Sequence, residues 1–176
     1  MKNLNLSFLL LPLACNGCPF LRAQAAGGKP ERKLQSDYIQ ELLDNHDDID
    51  REVITNADNS IRTKTTSTRD EVGGWLQEHV ATMKARVDNG AQVRNWDPFF
   101  VALVDHHDEF DVTITNLDNP KGVQVDMRAS TQCGQDLISS HATVVTAFAQ
   151  IGRVESSKSH DAPTSCGSSG NPPSGG

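Results

Sequence analysis

The chain writes one pattern twice, and that repetition limits what it can fold into. Leu42-Leu43-Asp44-Asn45-His46-Asp47-Asp48-Ile49 returns 61 residues later as Leu103-Val104-Asp105-His106-His107-Asp108-Glu109-Phe110. Gln77-Glu78-His79-Val80 returns 62 residues later as Ser139-Ser140-His141-Ala142. Each copy reads as helix, β-hairpin, helix. In the first, Ser36 caps a helix whose apolar stripe is Ile39, Leu42 and Leu43, with His46 next at helical spacing. Ile49, Arg51 and Val53 then alternate, residues 57–60 break the pattern, and Ile61, Thr63 and Thr65 alternate again, as a hairpin does. Thr68 and Glu71 have the spacing of a capping box. They open a helix with Val72, Trp75, Leu76, His79, Val80, Met83 and Val87 on one face, closed by Asn89-Gly90. Gly73-Gly74 weakens that helix and suits close approach by another backbone.

The second copy opens at Asp97-Pro98, an N-cap followed by proline at the first helical position. Phe100, Leu103, Val104 and His107 repeat the first stripe; Phe110, Val112 and Ile114 alternate, and so do Val123, Val125 and Met127. A turn is expected over residues 116–122. Ser130 or Thr131 caps the last helix, with Leu137, Ile138, His141, Val144, Val145 and Phe148 on its stripe and Gly152 at its end.

One such unit cannot bury its own apolar face, but two can join their hairpins. The expected fold is therefore α+β: two pseudo-symmetric helix-β-hairpin-helix repeats forming a four-stranded antiparallel sheet covered by helices. The domain spans residues 35–156, with repeat 1 at about 36–90 and repeat 2 at about 97–153. Two separate domains of roughly 60 residues each would be marginal.

The ends read differently. Residues 1–25 have the form of an export signal: Lys2, an apolar run over residues 4–14 too short to span a bilayer, and Ala23-Gln24-Ala25 as a cleavage site. The competing reading is lipoprotein processing, with a lipid anchor at Cys15 or Cys18. The protein is thus expected to be periplasmic or secreted, with an outer-membrane lipoprotein as the alternative and no further membrane span. Residues 26–34 form a polar lead. Ser, Gly and Pro dominate residues 157–176, which are expected to be a disordered tail holding His160 without a role. Cys15-Asn16-Gly17-Cys18 is followed by Pro19 rather than His, so it is not a c-type haem attachment site. Cys133 and Cys166 can pair in an oxidising compartment, although Cys166 falls in the tail.

The net charge of −7 and pI near 5.2 argue against nucleic acid and against an anionic membrane surface as partners. Hydrophobic residues are only 36% of the chain, so the core must be economical.

Against that background His46, His79, His107 and His141 stand out. Each falls on an apolar helical stripe, and they match in pairs between copies, while Arg51 has become Val112 and Trp75 has become Leu137. A two-fold arrangement would bring the four together, lining a transition-metal site or, from two sides, a non-covalent haem b. Asp47, Asp108 and Glu109 are candidates to orient the imidazoles, or plain solvated residues at helix ends. Met83 is a candidate soft ligand or a core residue. The competing view of the histidines is structural, each hydrogen-bonded inside the core. Catalytic patterns are poor: Ser139 and Ser140 do not face His141 on a helix, no nucleophile elbow or phosphate loop is present, and Cys133 lacks a partner base. The chain reads as a binding protein rather than an enzyme, with an enzyme using the same pocket as a third reading.

Leu42-Leu43-Asp44-Asn45-His46, Gln77-Glu78-His79-Val80, Trp96-Asp97-Pro98-Phe99-Phe100 and His141-Ala142-Thr143-Val144-Val145 resemble elements of a group of exported bacterial proteins of unassigned function, built from two such copies. The resemblance covers about residues 38–152. It implies a c-type cytochrome as a partner and favours haem or a redox metal. Thr131-Gln132-Cys133-Gly134, standing where the first copy has Arg69-Asp70-Glu71-Val72, is where the second copy departs most. The alternative function is an extracytoplasmic protein-interaction module without a cofactor.

Overall fold

The computed structural model describes residues 35–167. The expected export signal, the polar lead, Cys15, Cys18 and residues 168–176 lie outside them, as does the side chain of Ser36. The described residues form an α+β fold of five helices and four strands, in the order α1 (Gln35–Asp44), β1 (Asp50–Thr55), β2 (Ile61–Ser67), α2 (Asp70–Asp88), α3 (Pro98–Asp105), β3 (Phe110–Asp118), β4 (Lys121–Ala129), α4 (Gln132–Ile151) and α5 (Arg153–Ser156). Among them no helix is long and apolar enough to cross a membrane.

The four strands make one antiparallel sheet in the order β1-β2-β4-β3. The two hairpins therefore meet through their second strands, with Thr63 opposite Val125 and Thr65 opposite Val123. Because side chains alternate, Ile61, Thr63, Thr65, Val123, Val125 and Met127 share one face. That face is the covered one: Ile61 and Met127 pack with Ile138 and Ala142 of α4. Arg62, Lys64, Thr113 and Thr115 fall on the other face and are exposed. The helices add to this in pairs. Leu42 of α1 packs with Val72 and Leu76 of α2. Phe99, Phe100 and Leu103 of α3 pack with Cys133 and Leu137 of α4. Burying each large apolar side chain contributes about 1.5–3 kcal/mol.

Local signals explain several boundaries. The Asp97 side chain accepts from the Phe99 amide at 3.2 Å, with Pro98 at the first helical position of α3. Thr131 caps α4 by accepting from the Gly134 amide at 3.0 Å. Gly73 permits the seating of α2 on β4, since a Cβ there would stand 2.7 Å from the Lys121 carbonyl oxygen. Gln77, one turn on, donates to the carbonyls of Leu117 and Gly122 across the end of the second hairpin.

Other boundaries differ from expectation. The capping box at Thr68 does not form: α2 is preceded by Arg69, whose amide donates to the Ser67 hydroxyl, because β2 keeps pairing through Ser67 and the turn starts later. The turn expected over residues 116–122 shrinks to Asn119-Pro120, since Asn116, Leu117 and Asp118 continue the ladder opposite Val123, Gly122 and Lys121. The tail expected to be disordered from residue 157 instead runs back over the core as far as Gly167. Cys166 is disulfide-bonded to Cys133, and His160 packs against Phe100 and Phe148 with ring centroids 6.4 and 5.8 Å apart.

Candidate functional site

The four histidines occupy two kinds of place. His46 and His107 are not in α-helices. Each opens a short 3-10 turn after α1 or α3 has ended, because those helices stop at Asp44 and Asp105. His46 packs against Gly152, where a Cβ would meet its Cδ2 at 2.4 Å. His107 faces Gly90, whose added Cβ would lie 3.9 Å from its Cε1. Both glycines lie just past the end of a long helix at positive φ, +64° and +65°. His107 Nδ1 also bonds the Val104 carbonyl at 2.8 Å. The Nδ1 of His46 is buried without a hydrogen bond, and the Asp47 carboxylate, 94% exposed, lies 3.5 Å from it.

His79 and His141 lie within the two long helices, α2 and α4. Burial pushes His79 down to about 4. Burial does the same to His141, also to about 4, with smaller contributions from the charges of Arg51 and His79. Both imidazoles are thus neutral at pH 7, the form in which a nitrogen can ligate a metal. The Nδ1 of His79 is buried and makes no hydrogen bond. Leaving such an atom unpaired is costly.

Arg51, on β1, is one of the charges that act on His141. It stands opposite Thr65 on the covered face of the sheet. Its Nε donates to Thr146 Oγ1 of α4 at 3.2 Å, and its Nη1 to Thr65 Oγ1 at 2.5 Å. Burial lowers its pKa to about 10, which leaves it charged at neutral pH.

The four histidines do not form a closed quartet: among the described residues no three of them gather their ring nitrogens within 4.8 Å. The group that does meet that distance is His106, Cys133 and Cys166. Its sulfurs are joined to each other, so neither is a free thiolate, and Cys133 is not an available nucleophile. His106, expected off the stripe, is held by Glu109 Oε1 at 2.7 Å. Glu109 thereby pairs with His106 rather than orienting His107.

Two further groups carry more than the sequence reading gave them. Asp97 is fully buried. It accepts from Arg94 Nη2 at 3.1 Å and lies 2.8 Å from His160 Nδ1. Burial pushes its carboxyl up, but the hydrogen bonds from His160 and Arg94 outweigh this and hold it below the ordinary range. Arg94 in turn stacks over Trp96 and donates to the carbonyls of Ser156 and Lys158. No local signal announces this cluster, because His160 is 63 residues from Asp97. Arg51 did leave a signal: a cation at an inward position of an alternating strand.

No family model, curated protein or solved structure matches this chain.

Proposed function

We propose that the chain is an exported binding protein whose ligand site lies at His79 and His141, taking a transition metal or a non-covalent haem through neutral imidazoles. The observation that carries this reading is the pair itself. His79 and His141 each sit well inside a long helix, burial keeps both rings unprotonated, and the Nδ1 of His79 is buried and unpaired. Export is supported by the signal-like residues 1–25 and by the Cys133–Cys166 disulfide, a bond that persists in oxidising compartments. The reading of two copies of one unit is supported by the join through β2 and β4 and by the way His46 and His107 each pack on the glycine that ends the other copy's long helix.

The test is an absorption spectrum with elemental analysis on protein purified from its export compartment without chelators. The expected result is a Soret band or about one equivalent of metal, as a single site requires. His79→Gln/His141→Gln should remove either one while far-UV circular dichroism is retained. Wild-type protein that is colourless and metal-free, and stays so on titration with haemin, zinc and copper, would overturn the proposal. A second reading, a protein-interaction module without cofactor, is supported by the edge strand β1, where Val53 and Ile54 are 39% and 42% exposed.

A further inference from the structure

Three side chains from distant parts of the chain converge at the start of α4. Cys133 and Cys166 are joined there, and a ring nitrogen of His106 lies within 4.8 Å of both sulfurs. Two cysteine sulfurs and an imidazole are the donors that zinc and its chemical relatives prefer. His106 also has the support that a ligating histidine needs. Glu109 Oε1 lies 2.7 Å from its Nδ1, and the other Glu109 oxygen accepts from the Thr131 hydroxyl. A carboxylate only accepts, so Nδ1 carries the proton and Nε2 keeps its lone pair. The disulfide is what closes the set, because the thiolate is the metal ligand.

Opening that bond loosens the turn Thr164–Cys166 without scattering the donors. The turn has ties of its own. Ser165 Oγ donates to Asp136 Oδ2 of α4 at 2.6 Å. A few residues upstream the His160 carbonyl accepts from the Phe99 amide at 3.0 Å, and the His160 ring lies 2.8 Å from Asp97. Cys133 is held in the first turn of α4, where the helix N-terminus favours a thiolate. Cys166 is the sulfur that a reductant meets first. It is half-buried, with exposed Ser165 and Gly167 on either side, whereas Cys133 is buried.

We infer that Cys133, Cys166 and His106 form a second metal site, gated by reduction, for a thiophilic divalent ion of the zinc type. A dithiol opens it: the S–H bonds of the dithiol break, its sulfurs join, the Cys133–Cys166 bond breaks, and each cysteine gains one hydrogen. The ion then displaces both thiol protons to solvent. Two metal–sulfur bonds and one bond to the His106 ring form, and water takes the fourth position. The site goes beyond the reading of His79 and His141 and does not depend on it.

The experiment uses the full chain with Cys15→Ser and Cys18→Ser, so that Cys133 and Cys166 are its only cysteines. This protein is reduced anaerobically with a water-soluble phosphine and titrated with cobalt(II), then with zinc(II), while its absorption is followed. The expected result is a sulfur-to-cobalt charge-transfer band that saturates at about one equivalent and is displaced by zinc. The urea midpoint of the reduced protein should rise with zinc, because an ion that binds the folded state stabilises it. A further Cys133→Ser/Cys166→Ser change should remove the band, and His106→Gln should weaken binding by at least about tenfold. His79→Gln/His141→Gln should keep the band and its affinity, which separates this site from the histidine one. Reduced protein that gives no band, or that loses its native circular dichroism before metal is added, overturns the proposal. So does a band already present before reduction. Wild-type affinity in His106→Gln would reveal an adventitious dithiol chelate only, and a band abolished by His79→Gln/His141→Gln would place the metal elsewhere; either result overturns the site.

Discussion

Gly152 is packed so closely on His46 that a Cβ there would stand 2.4 Å from the ring's Cδ2 and 2.7 Å from the Leu43 carbonyl oxygen. Its φ of +64° adds a backbone reason for glycine at the same place. Gly152→Ala is therefore expected to destabilise the fold by about 1–3 kcal/mol. Trimming the ring with His46→Ala should recover part of that loss. Urea unfolding of both single variants and the double gives the coupling directly, and strict additivity would show that the ring is not what Gly152 makes room for.

Asp97 is the most heavily committed carboxylate among the described residues. It caps α3 through the Phe99 amide and accepts from the His160 amide, while its other oxygen meets Arg94 and the His160 ring. Asp97→Ala strands the Arg94 cation and the His160 ring, and should cost about 3–5 kcal/mol. His160→Ala, which leaves Arg94 in place, should cost less. Chemical denaturation with the slope held common to the variants would measure both, and equal effects would show that Arg94 contributes little.

The titration of His79 and His141 gives stability a specific dependence on pH. Their folded pKa values, about 4, lie below the ordinary value of 6.5. The unfolded chain therefore takes up protons first as pH falls. The stabilisation from burying neutral rings is full above pH 6.5 and is lost between 6.5 and 4, by roughly 2–4 kcal/mol for the pair. Asp97, held below its ordinary 3.8, acts in a lower window, losing its contribution only as pH falls through its folded value. Urea midpoints at pH 7, 5.5 and 4.5 should decline steadily in the wild type. His79→Gln/His141→Gln should show a shallower decline; an unchanged slope would place the acid sensitivity elsewhere.

The disulfide closes a separation of 33 residues and ties the 3-10 turn Thr164–Cys166 to α4. Replacing both cysteines by serine is expected to cost about 3–4 kcal/mol from chain entropy. Limited proteolysis should then cut within residues 157–167 before the sheet is touched. A cleavage pattern identical to the wild type would mean that the Asp97–His160 contact alone holds this segment.

Much of the fold could be read from the sequence because its signals are local. The alternations at Ile61, Thr63, Thr65 and at Val123, Val125, Met127 mark the inner face of β2 and β4. Asp97-Pro98, Thr131 and Gly152 mark helix ends within one turn of where they act, and Gly73 marks the close approach of β4. The site was less legible. Helical spacing carried the stripe of α1 through to His46, but the helix stops two residues short and a tighter turn takes over, which sends His46 to Gly152. His79 and His141 do fall within helices, as their spacing implied, because both lie well inside α2 and α4. The role of His160 was invisible in a Ser-rich stretch, since composition says nothing of a partner 63 residues away.

That contact also bears on the order in which the molecule can be completed during synthesis. Asp97 is made early, yet two of the bonds that make its burial tolerable come from His160. Until the ribosome has added those later residues, the start of α3 holds a carboxylate that prefers water. The Phe99–Leu137 core can therefore close around a satisfied Asp97 only once residue 160 is in place.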